Sequence, residues 1–408
     1  MNTLDSLYAD LTLPTTAKLV LLVLDGLGDL AMREEGYLTP LEAASTPNLD
    51  DLAQDSAQGR MTPVAPGIIP GSGPGHLALF GYDPIEFQVG RGVVEALGFG
   101  VELRPGDVAA RVNFCSLDAA GNVSDRRAGR IETPECERLC AILSEGVKSI
   151  DDVEVIIRPG RGHRFVVVFR GEGMEGPLSD SDPHCEGRPI QPVVPIDSNS
   201  VKVKKTAEVI GKFYQAALPL LAGESPSNGF LMRGITHQSV IPSVEERYKL
   251  RATSIAVNPV YQGLAQLVGM NKEVGPRTIS DQFNRYLEVY DRYDYFFIHY
   301  KYTDMYGSGG DFEGKKKAIE DLDAALPILM KKRPDVLAIT GDHSTPCSIH
   351  GPSWHPQPVL LNSPFSGSDK LDRFSETSAN LGSLGVFDAK YLMRLMQANA
   401  RMFKKFGA

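Results

Sequence analysis

Three short apolar runs constrain the fold of this chain more than any other feature. They cover residues 18–24, 293–299 and 336–340, and each has the length of one strand. Runs that are apolar on both faces are typical of central strands in a parallel sheet that is covered on both sides. Helical patterns separate these runs, including one over residues 312–332. The sequence therefore predicts an α/β fold, with a mixed or parallel sheet and helices on both faces.

Local patterns predict further elements. Thr46 and Pro47 predict the start of a helix, with Thr46 as its N-cap. Residues 62–75 hold four prolines and four glycines, a density that predicts a structured loop rather than a helix or strand. A final helix is expected over residues 388–405, with basic residues in its last turn to complement the helix dipole.

The middle of the chain has a different character. Two β-branched runs, residues 153–157 and 165–169, are joined by a basic segment and predict a β-hairpin with a basic tip. We therefore expect a small α+β domain over residues 108–188, inserted into a core domain formed by residues 1–107 and 189–408. The later helical pattern over residues 201–218 is assigned to the core domain.

Charge and cysteine content exclude some classes of protein. The 408 residues include 42 Lys plus Arg and 51 Asp plus Glu, giving a net charge of −9 at pH 7. That balance argues against an overall positive field that would bind nucleic acid or an anionic membrane. It does not exclude a local basic pocket. No apolar run approaches the roughly 20 residues that span a bilayer, and the first 18 residues do not resemble a signal peptide. Five cysteines without a CxxC pair predict a reducing, cytoplasmic setting.

Acidic residues follow the three apolar runs. Asp25 follows the first, Asp304 the second, and the pair Asp342-His343 the third. In open α/β sheets the ligand site lies beyond the carboxyl ends of the strands. Three carboxylates there repel one another unless a divalent cation holds them, and His343 makes a mixed oxygen and nitrogen set suited to Mn, Zn or Mg. The alternative is that each acid caps a following helix.

Ser72 is the candidate nucleophile. It lies in Pro-Gly-Ser-Gly-Pro-Gly-His, residues 70–76, followed by an apolar run. Glycines allow an anion to approach the backbone closely, and a helix starting near Gly75 would direct its positive end toward that anion. A serine hydroxyl needs a base or a metal to become a good nucleophile. The alternative is an ordinary Gly/Pro turn, and the segment matches neither a Walker A loop nor GxSxG.

A second motif suggests a different function. Residues 26–31 match GxGxxA directly after a strand, a pattern found in dinucleotide-binding folds. Asp25 and Asp29 would place negative charge against a pyrophosphate, and Gly36 and Pro40 interrupt the expected helix. We therefore favour the metal site over a dinucleotide site.

Basic residues concentrate in the predicted insert, within residues 125–130 and 158–164. Arginine forks suit carboxylate and phosphate groups, although a solvated surface role is the default for any single arginine. Two further basic residues outside the predicted insert, Arg233 and Lys301, are expected to bind the same small anionic substrate. The predicted substrate-binding residues are Arg126, Arg130, His163, Arg164, Arg233 and Lys301.

Several segments together resemble one known family. They are residues 24–26, 70–84, 125–130, 303–304, 310–314 and 340–346, the last reading Thr-Gly-Asp-His-Ser-Thr-Pro. From about residue 18 onward the chain is similar to the archaeal-type phosphoglycerate mutases that need no bisphosphoglycerate, members of the alkaline phosphatase superfamily. The form of the Ser72 loop is similar to that of the bacterial branches. The resemblance implies an alkaline-phosphatase-like core with a small inserted domain.

The resemblance also implies a site with two divalent metal ions and a phosphoserine intermediate. By position, Asp25, Ser72, Asp342 and His343 would hold one metal, with Ser72 as nucleophile, and Asp304 would hold the second. Active mutases of the family place a histidine four residues after that aspartate, where this chain has Ser308, and another where it has Pro352. His350 and His355 lie nearby in the sequence and are the predicted substitutes.

The function implied is the interconversion of 3- and 2-phosphoglycerate. Because of Ser308 and Pro352, two alternatives stay open. One is a related metal-dependent phosphotransferase or phosphatase acting on another small phosphorylated metabolite, for example a homoserine kinase-like activity, and the other is a non-catalytic relative. The sequence does not give the oligomeric state, since apolar helix faces can serve a core or an interface equally.

Overall fold

The computed structural model describes residues 3–196, 200–237 and 241–407. Contacts within the chain divide it into two compact units. The core unit comprises residues 1–88 and 241–408, and the inserted unit comprises residues 89–240.

The strands of the described ranges are numbered along the chain. They are β1 (Leu19–Leu24), β2 (Ala57–Thr62), β3 (Val108–Leu117), β4 (Val123–Asp125), β5 (Ser149–Ile150), β6 (Val153–Pro159), β7 (Arg164–Arg170), β8 (Gly229–His237), β9 (Ala252–Ala256), β10 (Asn271–Lys272), β11 (Tyr295–Tyr300), β12 (Val336–Thr340), β13 (Gln357–Asn362) and β14 (Gly385–Asp388).

The α-helices of the same ranges are numbered likewise. They are α1 (Thr3–Leu11), α2 (Pro40–Ala43), α3 (Pro47–Gln54), α4 (Ser72–Leu79), α5 (Arg91–Gly98), α6 (Thr133–Gly146), α7 (Val201–Ala217), α8 (Val244–Tyr248), α9 (Pro259–Leu267), α10 (Ile279–Val289), α11 (Tyr302–Gly309), α12 (Phe312–Leu329), α13 (Glu376–Leu381) and α14 (Leu392–Asn399).

The core unit is built on an eight-stranded mixed sheet. Its strand order is β10-β9-β11-β1-β12-β13-β2-β14. The five strands from β10 to β12 run parallel, whereas β13 pairs antiparallel with both β12 and β2. The three apolar runs form β1, β11 and β12, which are neighbours in the sheet and fully buried. The predicted α/β class with a mixed sheet is confirmed.

Helices cover both faces of this sheet. On one face, Leu22 and Ile298 pack with Phe283 of α10 and Leu322 of α12 in a single apolar cluster. On the other face, the ring of Phe297 meets that of Phe80, directly after α4, edge to face at 4.8 Å. Burial on both faces explains why these strands are apolar at nearly every position, the exceptions being His299 of β11 and Thr340 of β12.

The inserted unit has its own six-stranded sheet. Strands β4-β3-β7-β6-β5 are neighbours in that order, and β8 pairs with β3. Strands β6 and β7 form the predicted hairpin. Helices α6 and α7 supply Leu139 and Phe213 to the apolar cluster that includes Phe169 of β7.

The boundaries of this unit differ from the predicted 108–188. It begins at residue 89 and ends at residue 240. The reason is strand pairing: β8 lies antiparallel to β3 along most of its length, and α5 lies against the same strand. Helix α7 and Arg233, both assigned from the sequence to the core domain, therefore belong to the inserted unit.

Two predicted helix ends are also corrected. Thr46 precedes α3, but its side chain does not cap the helix because its hydroxyl is directed to Asp50. The carboxylate of Asp323 accepts the N–H groups of Asn48 and Leu49 instead. The last helix, α14, ends at Asn399. Arg401 takes a left-handed backbone conformation (φ 56°) that no regular helix continues through.

Among the helices of the described ranges, none combines the length and apolar content needed to cross a membrane.

Glu376 ties the turn after β1 to α13. Its two carboxylate oxygens accept the N–H of Asp29 at 3.1 Å and the hydroxyl of Thr39 at 2.7 Å. The side chain is only 5% exposed, and burial, partly offset by the Thr39 hydrogen bond, raises its pKa to about 7 from an ordinary value of 4.5. The folded state therefore keeps this proton over a pH range in which the unfolded chain has lost it.

We expect Glu376→Gln to remove a pH dependence of stability. Below the unfolded pKa both states hold the proton. As pH rises through the window between the two pKa values, the unfolded state releases the proton first. The free energy of unfolding of the wild type therefore falls by on the order of 3 kcal/mol by the upper end of that window. The variant should show a flatter profile in thermal melts between pH 4.5 and 7.5. Glu34→Gln, at an exposed position, is the control, and equal slopes for both variants would contradict the assignment.

Candidate metal centre and active site

The three strand-end acids meet at one edge of the core sheet. Asp25 directly follows β1, Asp342 follows β12 by two residues, and Asp304 lies in the first turn of α11 after β11. Since β11, β1 and β12 are parallel neighbours, their carboxyl ends lie side by side. Asp25 and Asp342 are buried at 0% and 1% exposure. Neither caps a helix: Asp342 accepts the N–H of Gly26 at 3.1 Å, and Asp25 precedes a turn.

His343 completes a group that can hold a cation. One ligand atom from each of Asp25, Asp304 and His343 lies within 4.8 Å of the others. The Nε2 atom of His343 is 3.5 Å from Oδ1 of Asp25 and 3.3 Å from Oδ2 of Asp342. Those two carboxylate oxygens are buried and accept no hydrogen bond from the described residues. Buried acceptors of this kind, beside an imidazole nitrogen, fit a divalent cation such as Mn, Zn or Mg.

Thr345 fixes the orientation of the His343 ring. Its hydroxyl donates to Oδ1 of Asp304 at 2.8 Å and is 3.0 Å from Nδ1 of His343. Because the hydroxyl proton is directed to the carboxylate, its oxygen accepts from an Nδ1–H. The lone pair of His343 then lies on Nε2, the atom that faces the carboxylates. An outer partner of this type is what a metal-binding histidine requires.

Ser72 lies beside this cluster at the start of α4. Its Oγ is 3.2 Å from Nε2 of His343. The helix begins at Ser72 itself, three residues before the predicted Gly75. Gly75 has a separate role, since a Cβ there would lie 2.6 Å from the carbonyl oxygen of Asp342. Only glycine allows α4 to come this close to the end of β12.

Lys301 and Tyr261 form the other side of the cluster. The Nζ atom of Lys301 is 2.9 Å from Oδ2 of Asp25, forms an ion pair with Asp304, and is 3.1 Å from the hydroxyl of Tyr261. The same hydroxyl lies 3.5 Å from Oγ of Ser72. Burial, reinforced by Asp25 and Asp342, raises the pKa of Tyr261. Tyr261 therefore stays protonated and is a hydrogen-bond donor.

Two buried histidines stand next to this tyrosine. The ring of His299 stacks on that of Tyr261 at 3.8 Å, and Nδ1 of His76 is 3.2 Å from Oδ2 of Asp342. Burial lowers the pKa of His299; for His76 burial is outweighed by Asp342 and Asp25, and the pKa is raised. The pKa of Asp25 is held well below its ordinary value, because His299, Lys301 and His343 together outweigh the effect of burial.

Sequence reasoning missed four residues of this cluster. His76 and Thr345 lie inside the motifs of residues 70–84 and 340–346. His299 lies in the apolar run that forms β11, where a histidine was an available signal. Tyr261 has no local signal, since it lies in α9 and meets Ser72 only in the folded chain.

His350 and His355 have other surroundings. Neither belongs to the group of Asp25, Asp304 and His343 found among the described residues. Nδ1 of His355 is 3.0 Å from the hydroxyl of Ser353, and its ring stacks on Trp354. His350 is exposed and has a left-handed backbone (φ 59°) beside Gly310.

The inserted unit gathers arginines around one strand. Arg111 of β3 is the register partner of Arg233 on β8 and forms an ion pair with Glu95 of α5 at 3.1 Å. A charged residue inside the buried run of β3 was a signal that sequence reasoning passed over. Burial, which Glu95 opposes, lowers the pKa of Arg111 to about 10.

His163 lies within the same positive field. Burial, followed by the charges of Arg164, Arg127, Arg111 and Arg130, lowers its pKa to about 4. Its imidazole is therefore neutral near pH 7. Five of the six predicted substrate-binding residues are thus in the inserted unit, and Lys301 is in the core unit.

Arg126 already has a protein partner. It forms two parallel hydrogen bonds, of 2.9 and 2.8 Å, with the buried carboxylate of Asp182. Arg126 and Arg130 also line a cavity of about 490 Å³.

On its fold and its site, this chain falls in the class of α/β proteins with a serine and a metal-compatible cluster at the carboxyl ends of parallel strands. A family model described as 2,3-bisphosphoglycerate-independent phosphoglycerate mutase matches residues 53–227. A relative from Aquifex aeolicus, named a probable enzyme of that description, is 46% identical over 400 residues, covering 96% of this chain and 97% of its own. A Thermus thermophilus relative of the same name is 46% identical over 404 residues, covering 98% of each.

Solved structures agree with these relatives. A Pyrococcus horikoshii protein is 30% identical with a TM-score of 0.81, covering 97% of this chain and all of its own. The cofactor-independent phosphoglycerate mutase of Thermoplasma acidophilum is 29% identical with a TM-score of 0.76, covering 94% of this chain and all of its own. This chain belongs to the family of 2,3-bisphosphoglycerate-independent phosphoglycerate mutases. The resemblance drawn from the motifs is confirmed, and the relatives include bacterial proteins.

Proposed function

We propose that this protein is a cofactor-independent phosphoglycerate mutase that interconverts 3- and 2-phosphoglycerate through a phosphoserine at Ser72. The observation that carries the proposal is the position of Ser72 Oγ, 3.2 Å from Nε2 of His343 at the edge of the carboxylate cluster, in a chain of this family. The substrate is a small phosphorylated metabolite.

We propose that Asp25, Asp342, His343 and Ser72 hold one divalent ion. When bound, that ion supplies Lewis acidity that favours the serine alkoxide and withdraws charge from the phosphoryl oxygens. The second ion implied by the family would depend on Asp304, whose carboxylate already engages Thr345 and Lys301. The residues present therefore fit the first ion and do not fit the second.

The reaction divides among residues of the core unit. Ser72 Oγ attacks the phosphoryl group and the P–O bond to the glycerate oxygen breaks. The proton that serine loses is balanced by the proton that the released glycerate hydroxyl gains. The backbone N–H groups of Ser72 and Gly73, at the start of α4, are donors for the oxygens that gain charge. The Tyr261 hydroxyl donates toward Ser72 Oγ from 3.5 Å and helps to hold it in line. The phosphoryl group then passes from Ser72 to the other hydroxyl of the retained glycerate, so that the bond formed to serine is the bond broken in the second step.

The basic residues of the inserted unit are the proposed anion-binding groups. Phosphoryl transfer depends mainly on positioning and on neutralising charge, which arginine forks provide. Arg130, Arg164 and Arg233 are proposed to bind the phosphate and carboxylate of the substrate. The neutral His163 would add an uncharged hydrogen-bonding group, and Arg126 is oriented by Asp182.

The experiment is an assay coupled to enolase with 3-phosphoglycerate and added Mn²⁺. We expect steady production of 2-phosphoglycerate by the wild type and a loss of at least about a thousandfold in Ser72→Ala, because the proposed covalent acceptor of the phosphoryl group is removed. Ser149→Ala, an exposed serine of β5, is the matched control. Equal rates for wild type and Ser72→Ala would refute the proposal.

A second candidate function rests on Ser308 and Pro352, which stand where active mutases of the family place histidines. Both are exposed here. A phosphotransferase or phosphatase acting on a different small metabolite would use the same Ser72 chemistry. A screen of phosphomonoesters, and of homoserine with nucleotide donors, separates it from the mutase.

We also propose the cytoplasm as the compartment. All five cysteines are free thiols, and four of them are buried, which suits a reducing environment.

A further inference from the structure

Lys301 holds an unusual position among the acids of the core unit. It is the residue before α11, three positions before Asp304. Its ammonium has three partners: Oδ2 of Asp25 at 2.9 Å, the carboxylate of Asp304, and the Tyr261 hydroxyl at 3.1 Å. An ammonium has three N–H donors, so these contacts fill its hydrogen-bonding capacity. The group is two-thirds buried, at 32% exposure.

The two oxygens of the Asp25 carboxylate face different partners. Its Oδ1 faces Nε2 of His343 at 3.5 Å and accepts no hydrogen bond from residues 3–196, 200–237 and 241–407. Its Oδ2 faces Lys301. Two positive charges can therefore bind one carboxylate, a divalent ion on the His343 side and the ammonium on the other.

A second divalent ion lacks ligands at the Lys301 side. Both oxygens of Asp304 are engaged, Oδ1 by Thr345 and Oδ2 by Lys301. Ser308, one helical turn further along α11, is exposed and offers only a hydroxyl. His355 is bound to Ser353 instead.

We propose that the ammonium of Lys301 takes the place of the second metal ion, so that this chain binds one divalent ion where its family implies two. The inference rests on the metal centre of the proposed function, and it does not depend on the substrate. An ammonium and a divalent ion cannot share the space between Asp25 and Asp304, because their repulsion over a few ångströms in a buried site is large. The three negative charges of Asp25, Asp304 and Asp342 are then balanced by one divalent ion and one ammonium.

The test is a Mn²⁺ titration of the metal-free wild-type chain, followed by calorimetry and by electron paramagnetic resonance. We expect one ion per chain and the six-line spectrum of an isolated Mn²⁺. Two ions per chain, or the spectrum of a spin-coupled pair, would overturn the proposal. The measurement uses the unaltered protein and needs no turnover, so it stands whether or not the mutase assay succeeds.

Two variants test the roles of the individual residues. Asp304→Asn should still bind one ion, because Asp304 is engaged by Lys301 and Thr345 rather than by the ion. Its affinity should fall by about tenfold at most, through the loss of a nearby negative charge, and complete loss of the ion would overturn the proposal. Lys301→Met should bind the ion at least about tenfold more tightly, since a neighbouring positive charge is removed. Lys317→Met, an exposed lysine on α12, is its control. Wild-type affinity in Lys301→Met would equally overturn the proposal.

Discussion

Replacing Asp342 with asparagine is expected to weaken Mn²⁺ binding at least about a hundredfold and to lower mutase turnover at least about a thousandfold. Oδ2 of Asp342 is buried, accepts no hydrogen bond from the part of the chain that the structure describes, and lies 3.3 Å from Nε2 of His343. In the variant an uncharged amide takes this position, and roughly 4 kcal/mol of transition-state stabilisation is lost.

The fold should survive this substitution. The other oxygen, Oδ1, accepts the N–H of Gly26, and an amide oxygen can keep that bond. Removing one of several buried negative charges should leave the metal-free protein at least as stable as wild type. The measurements are calorimetric Mn²⁺ titration, the enolase-coupled rate and a thermal melt, with exposed Asp321→Asn as the control. Unchanged Mn²⁺ affinity in Asp342→Asn would show that this carboxylate is not a ligand.

Replacing Lys315 with methionine is expected to lower the free energy of unfolding of the core unit by about 3–5 kcal/mol. Its ammonium donates to Oδ2 of Asp29 at 2.8 Å and to the carbonyl oxygen of Thr345 at 3.0 Å. Both charged side chains are completely buried. Without Lys315, the fully buried carboxylate of Asp29 keeps only backbone N–H donors among the described residues.

Trp354 makes this prediction measurable. It is the single tryptophan of the chain and lies in the core unit, so its fluorescence during urea unfolding reports on that unit alone. Lys317→Met, two residues further along α12 and 66% exposed, should cost less than about 1 kcal/mol. The double variant Asp29→Asn/Lys315→Met should regain more than half of the loss, because no unpaired charge remains. A double variant as unstable as Lys315→Met would mean that packing, and not the ion pair, is responsible.

Local sequence patterns were sufficient to predict the central strands and the acidic residues that follow them. The apolar runs are confirmed as β1, β11 and β12, and the order of the sheet places them next to one another. The match to GxGxxA was rejected because Asp29 would repel a pyrophosphate. The structure gives Asp29 a different task, the ion pair with Lys315, and that partner lies 286 residues away in sequence.

Features that depend on distant pairing could not be read from local patterns. The sequence of β8 gives no local indication of its partner, and only its pairing with β3 assigns Arg233 to the inserted unit. The cap of α3 comes from Asp323, on another helix. That Lys301 binds substrate stays a prediction. Its contacts within the chain, with Asp25, Asp304 and Tyr261, form a set that no spacing rule contains.

The order of the strands also determines how the site can be lost. Strands β10 and β14 are the two edges of the core sheet, and the strands that present Asp25, Asp304 and Asp342 are separated from both edges. Fraying at either edge leaves these acids in place, since partial openings begin in the least protected elements. The acids separate only when the centre of the sheet opens. Disassembly of the site and global unfolding of the core unit are therefore one and the same event.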